Sequence, residues 1–142
     1  MAAEIDLLPT PYRPNIAAAS EEGTLAIAAF SAPDGFAIDL VAAEPLLANP
    51  VAFYFDFEGN IYVAETFRHS RGVGDMRGHR DWLVDDLASR TVEDRLIAMK
   101  KNLGAEFSAW AEEHDRISKL WDSDGDGVAD QATVFADGFR DA

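Results

Sequence analysis

The clearest pattern in the chain is a nearly continuous apolar run that is followed, after a short break, by a second one. The first run covers residues 51–56 and the second covers residues 61–66. The connecting residues, 57–60, include Gly59, which can adopt the positive φ of a tight turn. This pattern predicts a β-hairpin. Because both runs are apolar at successive positions, we expect both faces of their sheet to be covered by other layers, as in stacked sheets.

A second region, residues 81–114, has apolar residues at helical spacing. Thr91 is placed to cap a helix, with acidic residues in its first turn and lysines in its last. The apolar stripe of this helix consists of Val92, Leu96, Met99 and Leu103. Gly104 is expected to end the helix, and a shorter helix is predicted over about 105–113. We expect the stripe to pack against the β part of the chain.

Other short segments predict three more strands, at residues 36–42, 116–121 and 132–136. Asp137 and Gly138 are expected to form a turn after the last of them. Residues 68–80 are rich in glycine and arginine and predict a loop.

The order of these elements predicts a mainly β fold with a helical insertion at about 81–114. The predicted domain covers residues 30–142. Before it, residues 1–29 are expected to form an N-terminal arm with proline near its start and a short helix over roughly 20–29. A length of 142 residues suits one domain of ordinary size.

The charge of the chain argues against two classes of partner. Twelve basic and 26 acidic residues give a net charge of −14, so nucleic acid and anionic membrane surfaces are poor partners. The chain has no cysteine, which excludes disulfides, zinc-thiolate centres, iron–sulfur clusters and cysteine nucleophiles within it. No apolar run is long enough to span a membrane. The first ten residues do not have the basic and apolar regions of a signal peptide.

Basic residues are concentrated between residues 68 and 80, where four arginines occur: Arg68, Arg71, Arg77 and Arg80. This group is typical of a solvated, salt-bridged surface, and the alternative is a patch that binds an anion or faces a cofactor. His69 lies in the same segment and has the same two interpretations, a solvated loop residue or a site residue. The spacing of His69, His79 and His114 along the chain is not that of a metal-binding motif.

The segment 122–130 has the pattern of a calcium-binding loop. Acidic residues occupy positions 1, 3, 5 and 9, and Gly127 at position 6 permits a sharp turn. The candidate ligands are Asp122, Asp124, Asp126, the backbone carbonyl of Val128 and Asp130. Position 12 is Thr133 rather than the glutamate of an EF-hand, and the flanking segments predict strands. We therefore expect a structural Ca²⁺ site in a hairpin turn; the alternative is a metal-free acidic turn, and Mg²⁺ fits less well.

Six segments in a fixed order resemble a known family. They are residues 30–36, 40–45, 49–53, 61–65, 115–121 and 133–138. Over roughly residues 28–142 the chain resembles the N-terminal part of the planctomycete-type membrane-bound dehydrogenase domain, a β-propeller. That domain is similar to the glucose/sorbosone dehydrogenases, six-bladed propellers that use pyrroloquinoline quinone and Ca²⁺. A blade takes about 40–50 residues, so the chain is expected to be a partial propeller, with the first blade and part of the next.

The resemblance implies a function in a longer protein. It implies an oxidoreductase that binds pyrroloquinoline quinone, acts on a sugar or a similar small substrate, and is exported to the periplasm or the cell exterior. Glu65 and Arg68 match the place where the inner strand leaves the first blade, and with His69 and Arg71 they are the candidate catalytic residues. Regions that carry most cofactor ligands in the family have no counterpart here, so this chain is expected to be inactive alone. Two alternatives are a non-catalytic, calcium-stabilised binding or scaffold module and a truncated product without independent function.

Overall fold

The computed structural model describes residues 12–73 and 76–140, and it contains one four-stranded antiparallel sheet. The strands follow one another across the sheet in chain order. They are β1, Pro50–Phe55; β2, Ile61–Glu65; β3, Asp115–Trp121; and β4, Gln131–Phe139. The fold therefore combines antiparallel β structure with helices in comparable amounts, so it is mixed rather than mainly β, and the expected helical insertion is present. The two predicted hairpins belong to the same sheet, so the expected start of a second blade is not a separate sheet in the described residues.

Among the described residues, four α-helices accompany the sheet, and three of them lie in the connection between β2 and β3. They are α1, Glu22–Ala28; α2, Leu83–Ala88; α3, Val92–Leu103; and α4, Phe107–Trp110. The predicted helical insertion at about 81–114 is thus a set of short helices, separated by turns. None of the described helices is long and apolar enough to cross a membrane. The predicted arm lies partly outside the described residues, since its first eleven residues precede Tyr12.

The first hairpin forms as the sequence predicts. Phe53 pairs with Val63 and Phe55 with Ile61, and the five residues 56–60 close the hairpin. Asp56 stabilises that turn, because its carboxylate accepts hydrogen bonds from the backbone N–H groups of two residues and from the side chain of Asn60. These contacts fix the register locally.

Helix α3 also begins and ends where predicted. Thr91 accepts a hydrogen bond from the backbone N–H of Asp94, whose side chain accepts one from the backbone N–H of Thr91, which makes a capping box. Gly104, with φ of 55°, follows the last residue. The apolar stripe does not pack as expected: α3 mainly contacts α2 and α4, and Val92 is 80% exposed.

Two other predictions are wrong. Residues 36–42 form no strand; the carbonyl of Val41 accepts one hydrogen bond, at 2.8 Å, from the backbone N–H of Ala129. This segment lies across the sheet instead of pairing with it. The turn expected at Asp137 and Gly138 is also absent, because β4 continues through them to Phe139. Gly138, with φ of 76°, lies in the part of β4 whose pairing with β3 is irregular.

The two faces of the sheet differ in what covers them. The front face carries the core, in which Val63 and Leu120 are buried with Ala129 beneath residues from the segment that precedes β1. Those covering residues are Ala42, Leu46 and Leu47. The back face carries aromatic contacts, such as the edge-to-face pair of Tyr62 and Phe135. The outer strand β1 is exposed at every residue, so the expected cover on both faces is not supplied by the described part of this chain.

Candidate functional site

The most buried charged group in the described structure is Glu65, the last residue of β2. Its carboxylate accepts hydrogen bonds from Nε of Arg116 at 2.7 Å, from Nη2 of the same residue at 3.1 Å, and from the backbone N–H of Ala48 at 2.7 Å. It also accepts a hydrogen bond from Oγ of Ser118. Glu65 is 1% exposed. A carboxylate held in this way is a structural anchor.

The loop that follows β2 is folded around Arg68. The backbone carbonyl of Arg68 accepts hydrogen bonds from the backbone N–H groups of Arg71, Gly72 and Val73. The Nη2 atom of Arg68 donates to the Gly72 carbonyl at 2.8 Å. The backbone N–H of Arg68 donates to Asp115, which also binds the backbone N–H of the preceding residue. A Cβ on Gly72 would lie 2.8 Å from the carbonyl oxygen of a helix residue, so this position requires glycine.

A polar cleft of about 460 Å³ opens at this end of the sheet. It brings together two of the four candidate catalytic residues, His69 and Arg71, with Glu113 from the segment before β3. The other lining residues are Asn15, Asn49, Pro50, Val51, Thr66 and Phe67. Arg71 forms a salt bridge with Glu113 at 2.6 Å. Glu65 and Arg68 are buried below the cleft and do not line it.

Tyr12 contacts Glu113, one of the cleft residues, although no sequence pattern indicated a role for it. Its hydroxyl donates to Glu113, and its ring lies 4.7 Å from the ring of His114. Burial and the hydrogen bond with Glu113 raise the pKa of Tyr12 to about 12. The same hydrogen bond, together with Arg71, lowers the pKa of Glu113.

His114 is buried, and Nη1 of Arg140 lies 3.3 Å from its Nε2. Burial and this neighbouring positive charge lower the pKa of His114. The imidazole therefore packs as a neutral ring between Tyr12 and the end of β4. The other two histidines lie apart from it: His69 is exposed, and the ring of His79 stacks on Trp82 at 3.9 Å.

The acidic loop connects β3 to β4 and brings three of the predicted metal ligands together. Carboxylate oxygens of Asp122, Asp124 and Asp126 lie within 4.8 Å of one another. Asp122 accepts hydrogen bonds from the backbone N–H groups of Gly125 and Gly127, at 2.7 and 2.8 Å, and these bonds lower its pKa. Three converging carboxylates are suited to a hard cation such as Ca²⁺.

The remaining two predicted ligands lie in the same loop but are not part of this cluster. Asp130 accepts hydrogen bonds from the backbone N–H and the hydroxyl of Ser123, which close the base of the loop and lower the pKa of Asp130. The backbone N–H of Val128 donates to Asp126 at 2.8 Å. A cation at the cluster would draw on three side chains, with the Val128 carbonyl and Asp130 as the candidates for further ligands.

The acidic loop and the polar cleft lie at opposite ends of the sheet. The loop follows Trp121, the last residue of β3, next to the end of the sheet where Leu120 pairs with Ile61. The cleft lies beyond Glu65, at the other end of β2. Ile61 and Glu65 are four residues apart in β2, so the two ends of this strand are separated by about 13 Å. An ion in the loop would therefore stabilise the turn and would not contact a molecule in the cleft.

Comparison with known proteins assigns the chain to a family. The family described as a domain of unknown function, DUF7133, matches residues 22–142. The chain is a DUF7133 protein. The match begins at α1 and covers the whole sheet, the helical insertion, the cleft loop and the acidic loop. No curated protein and no solved structure matches this DUF7133 chain.

We expect Glu65→Gln to destabilise the protein strongly, because the amide leaves the charge of Arg116 buried without its carboxylate partner. Breaking a buried ion pair in this way costs about 3–5 kcal/mol. Urea unfolding followed by circular dichroism measures the loss. Glu106→Gln, at an exposed position, is the matched control and should change the unfolding free energy by less than about 0.5 kcal/mol. A loss below about 1 kcal/mol for Glu65→Gln would contradict an anchoring role.

A tyrosine titration should report the environment of Tyr12. Its pKa is raised to about 12, so the neutral phenol is favoured in the folded state. The associated stability is complete below about pH 10 and is lost as the pH rises from about 10 towards 12. Absorbance at the phenolate band should show a component that titrates near 12 and disappears in Tyr12→Phe, while Tyr54→Phe, at an exposed position, retains it. Retention of that component in Tyr12→Phe would refute the assignment.

Proposed function

We propose that this chain supplies one blade of a calcium-stabilised β-propeller, as the N-terminal segment of a protein that resembles the quinoprotein sugar dehydrogenases. The observation that carries the proposal is a four-stranded antiparallel sheet whose strands are adjacent in chain order and whose two faces both expose large apolar residues. Propeller blades have this topology and are covered on both faces by neighbouring blades. The exposed residues include Phe53 and Phe55 on one face and Tyr54 on the other.

The acidic loop supports the calcium part of the proposal. Asp122, Asp124 and Asp126 converge at the β3–β4 turn, and like charges at this spacing repel one another without a cation. Bound Ca²⁺ would remove that repulsion and hold the turn between two strands in register. Because the loop lies at the opposite end of the sheet from the cleft, we assign the ion a structural role.

The residues of the cleft support only part of a cofactor site. Pyrroloquinoline quinone, when bound, supplies a two-electron acceptor, and its carboxylates require cationic partners. Arg71 has an exposed side chain, but its guanidinium already pairs with Glu113, and His69 adds a single imidazole at the edge of the cleft. The fit is therefore incomplete in this chain, in keeping with a segment that is inactive alone and that would bind the quinone and a sugar only within a longer, exported protein.

A second function is a non-catalytic, calcium-stabilised scaffold module. The burial of Glu65 favours it, since this candidate catalytic carboxylate lies away from the cleft and accepts four hydrogen bonds, from Ala48, Arg116 and Ser118. Under this alternative the cleft has no reaction to perform. The sheet then serves only as a surface on which other parts of an assembly pack.

Calcium should raise the thermal stability of the chain. We expect the melting midpoint to rise by several degrees in about 2 mM CaCl₂ relative to EDTA, because saturation at 100 times Kd adds about 2.7 kcal/mol. The double variant Asp124→Asn/Asp126→Asn should lose this shift, since it removes two of the three converging carboxylates.

The matched control changes two aspartates outside the loop, Asp34→Asn/Asp137→Asn, and should keep the full calcium response. Melts in MgCl₂ test the choice of ion, and a smaller shift is expected because Mg²⁺ keeps more of its water. An unchanged midpoint in Ca²⁺ for the unmodified chain would refute the calcium site. An equal loss of response in the control would show that net charge, not the cluster, is responsible.

Quinone assays separate the dehydrogenase from the scaffold. We expect no dye reduction by this chain alone with pyrroloquinoline quinone, Ca²⁺ and a panel of aldose sugars. A polypeptide that extends this chain through further blades should bind the quinone and reduce the dye. Quinone binding measured by fluorescence is a readout that does not depend on the correct sugar. If the extended protein binds no quinone, the scaffold function replaces the dehydrogenase.

A further inference from the structure

A second cleft lies between the connection of α2 to α3 and the residue that follows β4. It has a volume of about 540 Å³, within the range of small-molecule sites, and shares no lining residue with the polar cleft. Three arginines line it, Arg90, Arg95 and Arg140, and we call it the arginine cleft. The other lining residues are Asp86, Ser89, Thr91 and Val92. The lining therefore carries an excess of two positive charges, although the chain has a net charge of −14.

Two of these arginines form no ion pair with a carboxylate in the described part of the chain. The salt bridge of the cleft joins Arg95 to Asp86, and both side chains are exposed. The guanidinium of Arg140 contacts neutral groups, since its Nη1 lies 3.4 Å from a backbone carbonyl oxygen and 3.3 Å from Nε2 of His114. Arg90 has no carboxylate partner among the described residues, although the chain contains 26 acidic residues. An anion from solution could therefore pair with Arg90 and Arg140 without displacing an internal carboxylate.

The backbone at the start of α3 contributes little to this cleft, because its donors are already used. The N–H groups of Arg90 and Thr91 donate to the carboxylate of Asp94, each at 3.1 Å. The hydroxyl of Thr91 accepts from the N–H of Asp94 and keeps its own hydrogen for donation. A ligand would thus be held by side chains. Each guanidinium presents parallel N–H donors that match two oxygens of a phosphate or a carboxylate.

The charge of the lining indicates which anion fits. An excess of two positive charges is neutralised by a phosphate monoester, which carries about −1.5 to −2 at neutral pH, and is only half neutralised by a carboxylate. Repulsion from acidic residues elsewhere in the chain is screened beyond about 8 Å at physiological salt. A polyanion such as nucleic acid would extend over that acidic surface, so a small molecule fits better.

We infer that the arginine cleft binds the phosphate group of a small phosphate monoester, with Arg90 and Arg140 as its cationic partners and Arg95 beside them. Inorganic phosphate offers the same chemistry without the organic part, and the volume of the cleft leaves room for that part. This inference goes beyond the proposed function, because the site requires neither a quinone nor Ca²⁺.

Isothermal titration calorimetry with glycerol phosphate tests the inference. We expect one site on the 142-residue chain with a dissociation constant of about 1 mM or lower, in buffer without added Ca²⁺. Arg90→Gln should raise this constant at least about tenfold, because it removes a cationic partner and breaks no internal ion pair. The matched control is Arg80→Gln, at an exposed position outside the cleft, and it should change the constant less than about threefold.

Two further ligands define the chemistry of the site. Acetate, with a single negative charge, should bind at least about tenfold more weakly than glycerol phosphate. Inorganic phosphate should bind no more tightly than glycerol phosphate. Binding of inorganic phosphate alone would refute the ester, and equal binding of acetate would refute the match to a dianion.

A variant that tightens binding separates the cleft from the charge of the whole chain. Asp86→Asn removes the one acidic residue of the lining and frees Arg95, so it should lower the dissociation constant at least about threefold. Asp81→Asn changes the net charge equally at an exposed position outside the cleft and should have no such effect. A loss of folding cannot produce tighter binding. In ¹H–¹⁵N spectra, the side-chain Nε–H signals of the three cleft arginines should shift during the titration.

Three other results would overturn the inference: no heat of binding up to about 20 mM glycerol phosphate, equal weakening by Arg90→Gln and Arg80→Gln, or no tightening by Asp86→Asn. These failures differ from failure of the proposed function. A chain whose melting midpoint rises with Ca²⁺ and that binds no phosphate refutes the arginine cleft alone. A chain that binds glycerol phosphate and ignores Ca²⁺ refutes the calcium site alone.

Discussion

The buried ion pair of Glu65 and Arg116 is the interaction on which the arrangement of the fold depends. It joins β2 to β3 across 51 residues, and the same carboxylate holds the segment before β1 through the backbone N–H of Ala48. A buried carboxylate is costly unless all of its hydrogen bonds are made, so β2, β3 and that segment must assemble together. Once Glu65 is fixed, the chain leaves β2 at a defined point, and the loop around Arg68 brings Gly72 close to the carbonyl oxygen of Trp110.

The parts of the fold that were predicted correctly depend on contacts between near neighbours in the sequence. The turn at Asp56 and the capping box at Thr91 are each closed by residues no more than four positions apart. The three converging carboxylates of the acidic loop also belong to near neighbours, since Asp122 and Asp126 are four positions apart. Asp130 accepts two hydrogen bonds from Ser123, which the spacing of the aspartates does not reveal, and its place among the metal ligands stays a prediction.

The parts that were missed depend on contacts between distant residues. Residues 36–42 have the composition of a strand, yet their place is set by the front face that they cross and by one bond to Ala129. The contact of Tyr12 with Glu113 spans 101 residues, and neither residue has a motif. The choice of His69 and Arg71 did identify one end of the sheet, but the buried state of Glu65 and Arg68 follows only from the strands that enclose them.

The apolar composition of β1 predicts cover on both faces of the strand, and the described residues of this chain do not supply it. A strand that is apolar at successive positions is stable in water only between two covering layers, and all six residues of β1 are exposed here. Meanwhile the two polar regions lie at opposite ends of the sheet, so neither can shield this strand. The physical demand for cover is therefore separate from the chemistry of the cleft and of the acidic loop. Cover for this strand would be needed equally in an enzyme and in a scaffold, and fold alone does not decide between those two.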